Sequence, residues 1–214
     1  MVAVFTNKYP LIGPLVWVLS VQYFVVQLFV AKAWTIPYSW STNVISDLGN
    51  SACGLYAERY VCSPDHALMN ASFILLGLTM ALGSLLIYQE LKTSTPSFIG
   101  FSLMGLAGLG TVLVGLYPEN TSSIMHASGA FLALFISNIS LIVLALALSS
   151  VPKSLRIYTF ISGAISIIAF ILFASHTYIG LGQGGMERLV SYPQTIWLIL
   201  FGIYMTHSHL KTTS

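Results

Sequence analysis

Charge is what this chain has least of. Asp, Glu, Lys and Arg together supply 7% of its 214 residues, whereas a soluble domain carries about 25%. So little charge excludes water as the solvent for most of the surface. The net charge of +2 is small and dispersed, with no basic cluster. Nucleic acid is thereby excluded as a partner, and so is a polybasic patch for lipid headgroups. Cysteine is nearly absent, with Cys53 and Cys62 alone, too few for a structural tetrahedral zinc site. No internal repeat and no soluble domain can be found.

What is present is apolar: 56% of the residues are hydrophobic and the mean hydropathy is +0.85. Six uncharged runs occupy residues 11–31, 67–89, 93–117, 127–151, 157–175 and 189–206. Each is long enough to cross a hydrocarbon core, which takes roughly 17 to 25 helical residues. The first run exceeds a signal-peptide core of about 7 to 15 residues and no small-residue cleavage site closes it, so it reads as a helix. The expected fold is all-α: a polytopic membrane protein, one transmembrane domain over 1–214, with six helices and a long loop between helices 1 and 2.

The loops divide into two sets. Lys8, Lys92, Lys153, Arg156 and Lys211 lie on one side, and Lys32, Arg59 and Arg188 on the other. Five against three places both termini in the cytoplasm of a cell-membrane protein by the positive-inside rule. The acidic residues divide more sharply, since Asp47, Glu58, Asp65, Glu119 and Glu187 fall on the outer side and only Glu90 on the inner. His66, His126 and His176 sit at helix ends on that same outer side. The 32–65 loop carries Trp34, Tyr38, Trp40, Tyr56 and Tyr60, aromatics that favour the interface, so it is expected to lie as a cap over the bundle mouth.

Within the cap, Cys53 and Cys62 are nine positions apart. Outside the cell they would close a small ring, worth about 2 to 3 kcal/mol by the chain-entropy estimate; the alternative is two free thiols. Ser46-Asp47-Leu48-Gly49 offers a carboxylate as general base or cation ligand, or else a capped turn with Gly49 left-handed. His126 lies one turn after Ser122 at the mouth of helix 4, where an ionisable group costs free energy unless paired. Gly180 to Gly185, followed by Glu187-Arg188, reads as a flexible glycine loop whose amides, with Arg188, suit a phosphate or carboxylate. It lacks the lysine and preceding strand of a P-loop. Gly100, Gly105, Gly108, Gly110 and Gly115 mark helix 3 as a central packing helix. Pro193 is placed near the start of helix 6, where a lost backbone donor does little harm.

Ser46-Asp47-Leu48-Gly49, Asn70 with Phe73 and Gly77, Pro118-Glu119, His126, and Gly185 with Glu187-Arg188 together resemble the prokaryotic six-helix membrane proteins catalogued as domain of unknown function 998. That resemblance runs over most of the chain and implies the topology but no activity. Ser122-x-x-x-His126 is more distantly similar to an element of the transmembrane hydrolases that include alkaline ceramidases and adiponectin receptors. Those have seven helices and a His-x-x-x-His pair in the last one, which His207 and His209 do not reproduce.

The leading functional expectation is a membrane-embedded hydrolase of a lipid or lipid-linked substrate. In its metal form His66, His126 and His176 hold zinc, Glu119 or Asp47 accepts the proton of the bound water, and Arg188, with Ser46 and Asn70, binds the substrate. A carboxylate form uses Asp47, Glu119 and Glu187 instead. The alternatives are a carrier or binding protein for a small solute or lipid, with Tyr23, Gln27 and Asn138 as its deep polar groups, and a haem protein using two of the outer histidines.

Overall fold

Each apolar run folds as a helix, and polar or proline-bearing junctions set its ends. The computed structural model describes residues 11–91 and 94–213; Lys8, Lys92 and Thr93, counted above, lie outside them. The six helices are α1 (Ile12–Lys32), α2 (His66–Leu91), α3 (Thr95–Leu116), α4 (Ser123–Ala147), α5 (Lys153–Ala174) and α6 (Gly182–Thr213). Ser94 starts α3 with a reciprocal capping box to Ser97, the helix's third residue, and Pro152 stands immediately before α5. The Ser94–Ser97 box satisfies amides that the start of α3 would leave open.

All six are long and apolar enough to cross a membrane. Their outward faces carry exposed Leu28, Phe29, Leu82, Leu109 and Ile168. A belt of this kind is stable only against lipid, so the chain is a multi-pass membrane protein. The helices form a closed ring: each packs on its sequence neighbours, and α6 returns to α1. Helix α3 is one member of that ring rather than its centre. Gly100, Gly108, Gly110 and Gly115 face its neighbours in the ring, and a Cβ on Gly108 would stand 2.6 Å from the Gly77 carbonyl oxygen of α2. Backbones in such contact pack without help from side chains.

The half of the ring away from the cap is filled by aromatics. Trp17 is fully buried, with its ring 5.2 Å from Trp197, 5.7 Å from Phe201 and 6.1 Å from Phe101. Gly83 leaves room for its indole. Near that end Glu90 and His209 pair at 3.1 Å, both buried.

Helix α1 tightens to a 3-10 turn at Leu19–Val21, and in two further helices the departure from regular form serves the interior. In α4 the stretch Leu132–Ile136 is π-helical. In α6, which starts seven residues earlier than the apolar run suggests, Pro193 lies well inside the helix. Its missing N–H frees the Leu189 carbonyl, which accepts from Ser166 of α5 at 3.4 Å, and Val190 O accepts from Asn138 of α4 at 3.2 Å. Neighbouring helices thus satisfy what proline releases, as apolar surroundings demand.

Candidate functional site

The segment between α1 and α2 folds over the ring mouth as a cap. It contains a 3-10 turn, Ser46–Gly49, and a hairpin of β1 (Gly54–Tyr56) and β2 (Arg59–Val61), with the Cys53–Cys62 disulfide at its open end. The expected disulfide is therefore present. The hairpin turns at Ala57 and Glu58, with φ of 46° and 64°. A two-residue hairpin turn asks for this left-handed pair, normally with glycine, so the backbone here is strained. That turn sends Arg59 back across the cap. Gly49 is not left-handed; it is small because a Cβ there would strike the Asn70 side chain.

Asp47 is fully buried in this turn. Arg59 grips it through Nε to Oδ2 and Nη2 to Oδ1, both at 2.7 Å, and Asn43 Nδ2 and the Val44 amide add donors at 3.0 and 3.1 Å. Four donors on one carboxylate make it a structural anchor of the cap. Beside it, Glu119 hydrogen-bonds the Asp47 carboxylate. Burial first, and the Asp47 charge second, push the Glu119 carboxyl up to about 9, so it holds its proton at neutral pH.

A pH dependence follows from that shift. The folded carboxyl keeps its proton up to about pH 9, while an unfolded one releases it near 4.5. The group's stabilising contribution is full below about 4.5 and is lost as pH rises toward 9. Glu119→Gln is therefore expected to exceed the wild type in thermal stability at pH 8.5 and to lose that advantage by pH 5. A constant difference across that range would contradict this.

Glu187 and Arg188 are adjacent on α6 but, about 100° apart on the helix, they diverge. The two terminal nitrogens of Arg188 are engaged: Nη1 donates to Trp40 O at 3.0 Å and Asn43 O at 2.9 Å in the cap and to Gly184 O of its own helix at 2.8 Å, and Nη2 donates to the Tyr38 hydroxyl. Burial raises the Tyr38 hydroxyl's pKa, which keeps it protonated. The glycines before it are not a flexible anion loop. Gly182, with φ +73°, opens the helix, and the Gly184 and Gly185 amides donate to Ser41 O at 2.8 and 3.3 Å. Those amides hold the cap, so none is offered to an anion.

Ser46 and His126 meet under the cap. Ser46 Oγ lies 2.9 Å from His126 Nε2, and His126 Nδ1 lies 2.9 Å from the Tyr117 carbonyl oxygen. A carbonyl only accepts, so Nδ1 carries the hydrogen. In the neutral ring Nε2 is then the acceptor and the serine hydroxyl the donor. Glu187 Oε1 is also near that hydroxyl, at 3.5 Å, and its Oε2 takes the Ile45 amide hydrogen. The hydroxyl has one hydrogen, and the shorter contact to the histidine claims it. The result is a serine hydroxyl hydrogen-bonded to an imidazole whose other nitrogen is fixed by a third group, a geometry that nucleophilic catalysis can use.

Beneath Ser46 and Glu187 lies a cavity of about 40 Å³ on the ring axis, with room for about three waters. Tyr23, Phe73, Leu76 and Val114 wall it, and Ser191, Gln194 and Thr195 give α6 a polar stripe along it. Ala133 and Leu134 reach it from the π-helical stretch of α4, and such stretches occur frequently at functional sites. Gln194 Oε1 is buried without a partner.

The other expected site residues are placed elsewhere. His66 Nδ1 contacts Ser63 O at 3.0 Å at the start of α2, and exposed His176 contacts the Tyr178 hydroxyl at 3.0 Å. Among the described residues no three His, Cys, Asp or Glu side chains form a group that could hold a metal. The zinc trio His66, His126 and His176 is therefore not assembled, because α2, α4 and the turn after α5 present these rings to different partners. Asn70 Nδ2 donates to Gly49 O at 2.8 Å, tying the turn to α2. Arg59 and the Tyr117 carbonyl were missed by sequence reasoning. Arg59 had a signal, as the one basic residue inside the cap; a backbone carbonyl has none.

Residues 16–204 match the family described as protein of unknown function (DUF998). No curated protein and no solved structure matches the chain.

Proposed function

This chain belongs to that family of unknown function, and from that premise we propose that it is a membrane-embedded hydrolase with Ser46 as nucleophile and His126 as base. The substrate class is an ester of a membrane lipid. The observation that carries the reading is the 2.9 Å Ser46–His126 contact, with the ring oriented by Tyr117 O. Attack by Ser46 Oγ on the acyl carbon passes the hydroxyl proton to His126 Nε2. The acyl–oxygen bond then breaks, and His126 returns the proton to the leaving alkoxide. Water, activated by the same nitrogen, hydrolyses the acyl-serine and regenerates the hydroxyl. Glu187, 3.5 Å from Ser46 Oγ, sets a carboxylate beside the imidazolium that forms. The cavity below, about 40 Å³, has room for the water that hydrolyses the acyl-serine. The cap end is assigned to the outer face of a cell membrane, supported by the disulfide, which persists in oxidising compartments.

The test is covalent labelling of native membranes with an alkyl fluorophosphonate. Wild-type protein is expected to carry the label on Ser46, and Ser46→Ala to carry none. A wild type that stays unlabelled, or a label on another serine, removes the assignment. A second reading, a carrier for a small polar solute, is favoured by the Ser191, Gln194 and Thr195 stripe; saturable solute uptake without labelling decides for it.

A further inference from the structure

On the lipid-facing side of the ring, a groove of about 340 Å³ runs between α1 and α6 close under the cap, lined by Phe24, Gln27, Leu28, Trp40, Arg188 and Tyr192. We propose that it binds a membrane phospholipid by its phosphodiester group. Two buried donors at the groove have nothing to donate to: Arg188 Nε and Gln27 Nε2. Both residues are more than nine-tenths buried. A buried N–H left open is costly, and here the same place leaves two open.

The charge points the same way. The hydrogen-bond partners of Arg188 are neutral: three carbonyls and the hydroxyls of Tyr38 and Tyr192. The ion pairs among the described residues are Arg59–Asp47 and His209–Glu90; Glu187 acts on this guanidinium through space without pairing with it. Its charge is complementary to an anionic oxygen arriving from outside the protein. The depth suits a headgroup, since Gln27 is five residues, or about 7.5 Å, from the end of α1. Trp40 and Tyr192 are interfacial aromatics, and Leu28, 61% exposed, offers the acyl chain a floor. A free phosphate would leave that apolar floor unused, which is why the occupant is a lipid.

This site is separate from the Ser46 chemistry and has its own test. Delipidated protein in detergent is titrated with phosphatidylglycerol and, separately, with diacylglycerol, and bound lipid is counted by native mass spectrometry. One phosphatidylglycerol per chain is expected, with diacylglycerol at least tenfold weaker. Ser46→Ala keeps this binding, Gln27→Leu weakens it about tenfold, and Leu28→Trp, a lipid-facing change that fills the groove, abolishes it. Equal affinity for diacylglycerol, or undiminished binding by the Leu28→Trp variant, overturns the proposal.

Discussion

Ser46→Ala is expected to lower kcat on an ester substrate by at least about 10³-fold with little change in KM, because the hydroxyl acts in the bond-making step and not in holding the acyl chain. His126→Ala should lose as much, since a serine hydroxyl without its base is a weak nucleophile. The diagnostic is the double variant. Residues that act as one unit are not additive, so Ser46→Ala with His126→Ala should be no slower than either alone. Multiplicative losses, or a single variant retaining most of its turnover, would show that the 2.9 Å contact between them is structural. Intact folding of each variant can be read from retention of the Cys53–Cys62 disulfide under mild reductant.

The second large effect is on stability. Arg188→Met keeps the apolar stem but removes the donors to Trp40 O, Asn43 O and the Tyr38 hydroxyl. Asn43 O keeps the Tyr38 hydroxyl as a donor and Trp40 O is only partly buried, so at about 1 to 3 kcal/mol for an acceptor left open a loss of about 2 to 4 kcal/mol is expected. Most of it should appear as early release of the cap, measured as faster reduction of the disulfide and as a lower unfolding midpoint in detergent. Arg188→Lys should recover only part, because one ammonium cannot reproduce the spread of a planar fork. A variant within about 1 kcal/mol of wild type would mean that the cap is held by Asp47 and Arg59 instead.

The spans were legible because bilayer thickness imposes a length and a composition that few other structures share. Their ends were less so. Helix α6 starts at Gly182 rather than 189 because its first turns are held by the cap through Ser41 O, and local propensity carries no sign of that. Asp47, Glu119, Glu187, Ser46 and His126 were all identifiable as candidates, since polar residues at one end of an apolar bundle are conspicuous. Their partnerships were not. Ser46 and His126 are 80 residues apart, and their meeting depends on the rotational setting of α4, which an apolar run does not encode. The same blindness produced the zinc trio: three histidines at one level of the membrane, on helices whose facing directions were unknown. Arg188 went to carbonyl oxygens, which every residue possesses, so no spacing rule could have found them.

The closing of α6 onto α1 also sets an order of assembly. Ser46 belongs to the first third of the chain, His126 to the middle and Glu187 to the last helix, and the cap, already tied to α2 through Asn70, is joined to α6 only when Arg188 arrives. During synthesis, five helices can insert and pair while the mouth stays open and the serine stays without its full surroundings. The polar cluster under the cap is thus completed by the final insertion event, and a chain arrested before α6 would lack Glu187 and the hold of Arg188 on the cap.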